Sequence, residues 1–186
     1  YKKGSELNSL INAQEKMTSG FIMVYSDILI EDQILTKLIT CQEDIVLVAD
    51  NTMQYHAPEI NKVQDLIISK NKHQLTRRKI SFVCENIISK IGSKLNSETA
   101  THEFIGLAKL TKTGAEQFLQ TYEDCAKNYQ GKFQEANDIS RLKFTDLIQE
   151  MIDRGYAIHF LEIHKGWLEI HSKEDIELAN HFLSNS

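Results

Sequence analysis

Proline occurs once in these 186 residues, at Pro58, and no low-complexity tract interrupts the chain. Cysteine occurs three times, at Cys41, Cys84 and Cys125. These cysteines are odd in number, far apart and form no CxxC, which argues against a disulfide framework or a zinc knuckle and for a reducing, cytoplasmic setting. No apolar run approaches the length of about 18 residues that a membrane span needs, so no membrane partner is expected. A formal net charge of -5 argues against a protein built to coat nucleic acid or an anionic bilayer. GxGxxG, GxxxxGK[ST] and GxSxG are all missing. Gly92-Ser93-Lys94 has the wrong order for a phosphate loop and lacks the upstream glycine.

The chain does have enough length for one sizeable core, and its composition is that of an ordinary globular protein, so residues 1–186 are expected to form a single domain. Two apolar runs stop on carboxylates: Phe21-Ile22-Met23-Val24-Tyr25-Ser26-Asp27 near the start and Gly166-Trp167-Leu168-Glu169 near the end. The first shows no period-2 alternation and reads as a strand buried on both faces. Asp44-Ile45-Val46-Leu47-Val48-Ala49-Asp50 is a second strand that ends on an acid, and a helical segment over 30–41 joins the two. Strand, helix, strand predicts a βαβ unit with parallel strands, and ligands bind beyond the carboxyl ends of such strands.

Elsewhere the pattern predicts a helix over 5–17 closed by Gly20, strands at Lys79-Ile80-Ser81-Phe82-Val83-Cys84 and 87–92, and a core strand over 103–110. Gly114 opens a helix whose buried face carries Ala115, Phe118, Leu119, Tyr122 and Ala126. A helix over 145–154 stops at Gly155, a strand covers 157–161, and Ser172-Lys173-Glu174-Asp175 has the form of a capping box.

Asp27 and Glu169 are hard oxygen donors of the kind that hold Mg2+ together with substrate phosphates. The alternative is that Asp27 closes a turn and Glu169 faces solvent. His102, His159, His164 and His171 lack zinc-site spacing and read as surface or hydrogen-bonded histidines. The basic stretch from His73 through Arg77 to Lys79 holds phosphate or, more simply, keeps a strand edge soluble.

Five pieces in order resemble the nucleotidyltransferase superfamily of sugar-phosphate nucleotidyltransferases and phosphocholine and phosphonate cytidylyltransferases. They are Asn8-Ser9-Leu10 with Ala13, then Val24-Tyr25-Ser26-Asp27, then Val46-Leu47-Val48-Ala49-Asp50. Glu103-Phe104-Ile105-Gly106-Leu107-Ala108-Lys109 with Gly114-Ala115 follows, and then Thr145-Asp146-Leu147-Ile148 leading to Gly166-Trp167-Leu168-Glu169-Ile170. The details are most similar to the transferase domain associated with phosphoenolpyruvate phosphomutase. The resemblance implies an α/β fold, a three-layer Rossmann-like mixed sheet of the nucleotide-diphospho-sugar transferase type. It also implies N-terminal truncation, because the family's opening strand, glycine-rich loop and Lys-Pro element have no counterpart here.

By the same resemblance Asp27 and Glu169 are the catalytic, Mg2+-holding acids, with Glu169 standing where many relatives have Asp. Ser26, Phe104, Gly106 and Trp167 are the substrate-binding residues, Gly106 permitting close approach of an acceptor. The implied partners are a nucleoside triphosphate, CTP above others, and a small phosphate or phosphonate acceptor, with a homodimer left open. The implied reaction is nucleotidyl transfer with release of pyrophosphate in the full-length protein, this chain alone being expected inactive. A sugar-1-phosphate nucleotidyltransferase and a non-catalytic binding or assembly domain are the competing readings.

Overall fold

A computed structural model describes residues 6–52, 63–70 and 86–184. The strand at Lys79-Ile80-Ser81-Phe82-Val83-Cys84 and the basic stretch of His73, Arg77 and Lys79 lie outside the described residues. In chain order the elements are α1 (Glu6–Ile11), β1 (Gly20–Val24), β2 (Ile28–Ile30), α2 (Asp32–Thr40), β3 (Ile45–Asp50), β4 (Leu66–Ser69) and β5 (Asn86–Gly92). Then come β6 (His102–Thr111), α3 (Lys112–Asn128), α4 (Phe144–Asp153), β7 (His159–Ile163), β8 (Trp167–Glu169) and α5 (Lys173–Ser184). The helix predicted over 5–17 is α1 followed by a single 3-10 turn at Gln14–Lys16.

β3 is the hub of the mixed sheet because all six of its residues are buried. Alternation splits its side chains between two cores. Ile45, Leu47 and Ala49 pack with Phe118 of α3 and Leu147 and Met151 of α4, whereas Val46 and Val48 pack with Ile34 and Leu38 of α2. Helices therefore cover both faces. The strand order is β1-β6-β3-β7-β5-β4, and β4 also pairs with the first residues of β6, so the ladder returns on itself. Only the β3/β7 pairing is parallel among those described. A separate antiparallel ribbon pairs β2 with β8, setting Ile28 opposite Glu169 and Ile30 opposite Trp167.

The predicted βαβ unit is altered by an inserted strand. β1 and β3 are each antiparallel to β6, so they run in the same direction, but β6 lies between them. β1 is also not buried on both faces: it lies at the end of the strand order, with Ile22 39% and Val24 51% exposed while Met23 points inward. Its outward face is apolar, which erased the alternation that marks a one-sided strand. On α3 the buried face holds Gly114, Ala115, Phe118, Thr121 and Cys125, whereas Ala126 is exposed. Gly114 sets that face, since a Cβ there would lie 2.2 Å from the carbonyl oxygen of Asp44. Against the expectation of a reducing setting without a disulfide framework, Cys41 is disulfide-bonded, while Cys125 is free and buried.

The other stops and caps form as the sequence predicts. Gly155 follows α4 with φ +90. At α5 the Ser172 hydroxyl accepts the Asp175 N–H at 3.2 Å and the Asp175 carboxylate accepts the Ser172 N–H at 2.8 Å. No helix among the described residues is long and apolar enough to cross a membrane.

Candidate active site

The β2/β8 ribbon brings the two acids together. β1 ends at Val24, and residues 25–27 turn into β2, where the carbonyl oxygen of Asp27 accepts the Ile170 N–H at 2.7 Å. Residues two apart in extended chain share a side, so Glu169 and His171 project alike. The result is a cluster of Asp27, Glu169 and His171 in which one donor atom from each lies within 4.8 Å of the others. Nε2 of His171 stands 2.9 Å from Oε1 of Glu169, and its Nδ1 stands 3.9 Å from Oδ2 of Asp27. The three side chains are partly open to solvent. The backbone of His171 is fixed from the other side, its N–H donating to the Asp175 carboxylate at 2.9 Å. That bond and those from Ser172 hold the Asp175 carboxyl below its ordinary range.

Glu169 and Tyr25 stand in the walls of two cavities. The larger, about 530 Å³, is lined by Leu10, Met23, Ser26, Asp27 and Phe144 as well. The smaller, about 60 Å³, is lined further by Asp65, Glu103, Phe104 and Trp167. Its aromatic wall is cross-braced, Tyr25 meeting Phe104 edge to face at 5.9 Å and Phe104 stacking on Phe144 at 5.9 Å.

Gly106 lines neither cavity. It sits in a bulge of β6, where Val48 of β3 is opposed by Ile105, Gly106 and Leu107 of β6, and has φ +80. A Cβ there would lie 2.4 Å from the ring of Tyr25, whose N–H donates to the Gly106 carbonyl at 2.9 Å. The close approach expected at this glycine is therefore that of a neighbouring side chain. The site geometry depends on it, because Tyr25 precedes Ser26 and Asp27.

Asp50, which the sequence showed only as the end of a strand, orients the opposite wall. It is 5% exposed and accepts hydrogen bonds from the Thr52 N–H at 2.8 Å, the Thr52 hydroxyl, the Lys165 N–H at 3.4 Å and the Trp167 indole N–H at 2.6 Å. Those bonds hold the turn of Lys165 and Gly166, both at positive φ, that feeds Trp167 and Glu169 into β8. His171 was passed over among histidines read as surface groups; its one signal was the Glu169-x-His171 spacing on an extended segment. His102 does match that reading, buried with its ring nitrogens 2.9 Å from the Thr101 hydroxyl and 3.0 Å from Glu162. Gly92-Ser93-Lys94 forms a turn whose N–H groups at Ser93 and Lys94 are already taken by the Glu135 carboxylate, at 2.9 and 2.8 Å.

No family model and no curated protein matches the chain. Solved structures do. An inositol-1-phosphate CTP transferase from T. maritima is similar over 96% of this chain, with a TM-score of 0.64 and 15% identity. A UDP-glucose pyrophosphorylase is similar over 100% of it, at 0.62 and 15%. A CTP:phosphocholine cytidylyltransferase from Streptococcus pneumoniae is similar over 98% of it, at 0.58 and 10%. The chain has the fold of these nucleotidyltransferases. It spans 60%, 62% and 65% of their respective lengths.

Proposed function

We propose that this chain is the C-terminal portion of a nucleotidyltransferase domain that carries a nucleotidyl group, cytidylyl above others, from a nucleoside triphosphate to a small phosphate or phosphonate acceptor. The observation that carries the reading is the convergence of Asp27 and Glu169 where two cavities meet, on a fold known from nucleotidyltransferases. Two of the similar structures bear names that specify CTP. We further propose the three-layer sheet of that fold class, with the nucleotide-binding part on chain preceding residue 1. The lateral edge of β1, bare of a strand partner among the described residues and flanked by exposed Ile22 and Val24, supports this.

In this reading the acceptor oxyanion attacks the α-phosphorus in line. A bond forms between that oxygen and phosphorus, the bond to the β-phosphate bridging oxygen breaks, and pyrophosphate leaves with the electron pair. The attacking oxygen is already anionic, so no proton has to be removed and the protein acts by position and charge. Asp27 and Glu169 would repel phosphates on their own. Two carboxylates and an imidazole with donors this close fit a divalent cation such as Mg2+. Such a cation would supply positive charge and Lewis acidity at that point.

Asp27 and Glu169 would hold it, Ser26 would offer a hydroxyl to a phosphate oxygen on the larger cavity, and Phe104 and Trp167 wall the smaller one. Lined by Asp65, Glu103 and aromatic rings, it suits an ammonium head better than a hexose. That favours choline phosphate or an aminoalkyl phosphonate over a hexose-1-phosphate.

The test is cation-dependent pyrophosphate release by the native full-length protein, with the four nucleoside triphosphates against choline phosphate, aminoalkyl phosphonates and hexose-1-phosphates. Release with CTP and an ammonium-bearing acceptor is expected, and Asp27→Ala should abolish it while the fold persists. Silence across the panel from folded protein would leave a binding or assembly domain as the better description.

A further inference from the structure

We propose that His171 is a third ligand of the cation site at Asp27 and Glu169, and that its nitrogen makes the site prefer Mn2+ to Mg2+. The inference deepens the reading above and rests on it only for the place of the site; cation binding can be measured without nucleotide or acceptor.

A neutral imidazole has one N–H donor and one bare lone pair. Both ring nitrogens of His171 face carboxylates: Nε2 is at hydrogen-bond distance from Glu169, at 2.9 Å, whereas Nδ1 stands 3.9 Å from Asp27. The longer separation is too great for a hydrogen bond. The shorter one matches neighbouring ligands of one cation, which lie about 3 Å apart with bonds of about 2.1 Å, and one donor atom from each of the three residues lies within 4.8 Å of the others. The position of His171 is also built. It follows two residues after Glu169, the last residue of β8, and its backbone N–H donates to the Asp175 carboxylate at 2.9 Å. That bond fixes the main chain from which the ring projects.

Ligand type then decides between cations. Mg2+ demands oxygen donors and gives up water reluctantly, so an imidazole contributes little to holding it. Mn2+ stands at the start of the series of first-row metals that accept nitrogen along with carboxylate oxygen. A site of two carboxylates and one imidazole therefore gains from Mn2+ what it cannot gain from Mg2+.

The experiment is Mn2+ binding to the full protein, read by pulsed electron paramagnetic resonance for coupling to 14N and by Mg2+ competition for relative affinity. The wild type should show one directly bound nitrogen and hold Mn2+ at least about tenfold more tightly than Mg2+. His171→Ala should lose the 14N coupling and weaken Mn2+ about tenfold, with Mg2+ affinity changed less than about threefold. His171→Asp should keep binding without the coupling and narrow the preference for Mn2+. A melting curve confirms that both variants are folded. Bound Mn2+ without 14N coupling in the wild type, an unchanged cation ratio in His171→Ala, or no Mn2+ binding at all would overturn the proposal. Coupling without nucleotidyl transfer would sink the reaction and leave the ligand standing. Transfer without coupling would do the reverse.

Discussion

Gly106 and Tyr25 act as one unit. Alanine at φ +80 pays about 1–2 kcal/mol for the left-handed backbone, and its Cβ would overlap the Tyr25 ring. Gly106→Ala should therefore lose roughly 2–3 kcal/mol in urea denaturation. It should also displace Tyr25 from both cavities, lowering any ligand affinity measured there. A variant within about 0.5 kcal/mol of the wild type would show that Tyr25 does not depend on that seat. Cys125 is a residue whose burial settles its chemistry. Desolvation pushes its thiol up to about 11 against the opposing pull of Arg154, so it stays protonated at neutral pH and is no nucleophile. Asp27 and Glu169 were legible as candidates because acids ending apolar runs stand out. The link between Asp50 and Trp167 was not, because 117 residues separate the partners.

Among the elements, α5 is held at its start by a reciprocal cap that the Ser-x-x-Asp spacing disclosed before any coordinates. Ser172→Ala removes the acceptor for the Asp175 N–H and should cost about 1 kcal/mol. The loss should be local: faster amide exchange in the first turn of α5, with β3 and β6 amides unchanged. Uniformly faster exchange throughout would mean that α5 belongs to the cooperative core, against this expectation. The cap also needs Asp175 ionised. Its carboxyl is held low by the N–H groups of His171 and Ser172, so the contribution is present above the ordinary carboxylate pKa and disappears as pH falls through the lowered value.

Helices and long strands were legible because periodicity and glycine stops mark them. β2, three residues long and half-buried throughout, carried no period to read, although it is half of the ribbon that aligns the site. The α3 face differed by one turn of choice, Thr121 and Cys125 in place of Ala126, because Gly114 lets the helix start hard against β3.

Over the whole molecule, one half-buried imidazole ties stability to pH. His159 opens β7, and its Nδ1 is buried with no hydrogen-bond partner among the described residues. Burial lowers its pKa from 6.5, with Glu43 pulling weakly the other way. The unfolded chain therefore binds a proton at His159 before the folded chain does. Stability should fall as pH drops through about 6.5 and level off below the folded value. The urea midpoint of the wild type should decrease from pH 7.5 to pH 5.5, and His159→Gln should flatten part of that decrease. Identical slopes in the two proteins would remove His159 as a cause.

Sequence alone determined what is local or periodic: most strands and helices, the glycine stops, the α5 cap, and the two acids that end apolar runs. These follow from side-chain period and backbone preference, which a short window contains. Tertiary structure alone decided what depends on partners far apart in the chain. It put β6 between β1 and β3, turned Gly106 toward Tyr25, tied Trp167 to Asp50, and set His171 beside Asp27 across 144 positions of chain. Hydrogen-bonded strand pairing chooses neighbours by register and shared burial, and neither is visible until both strands are in place.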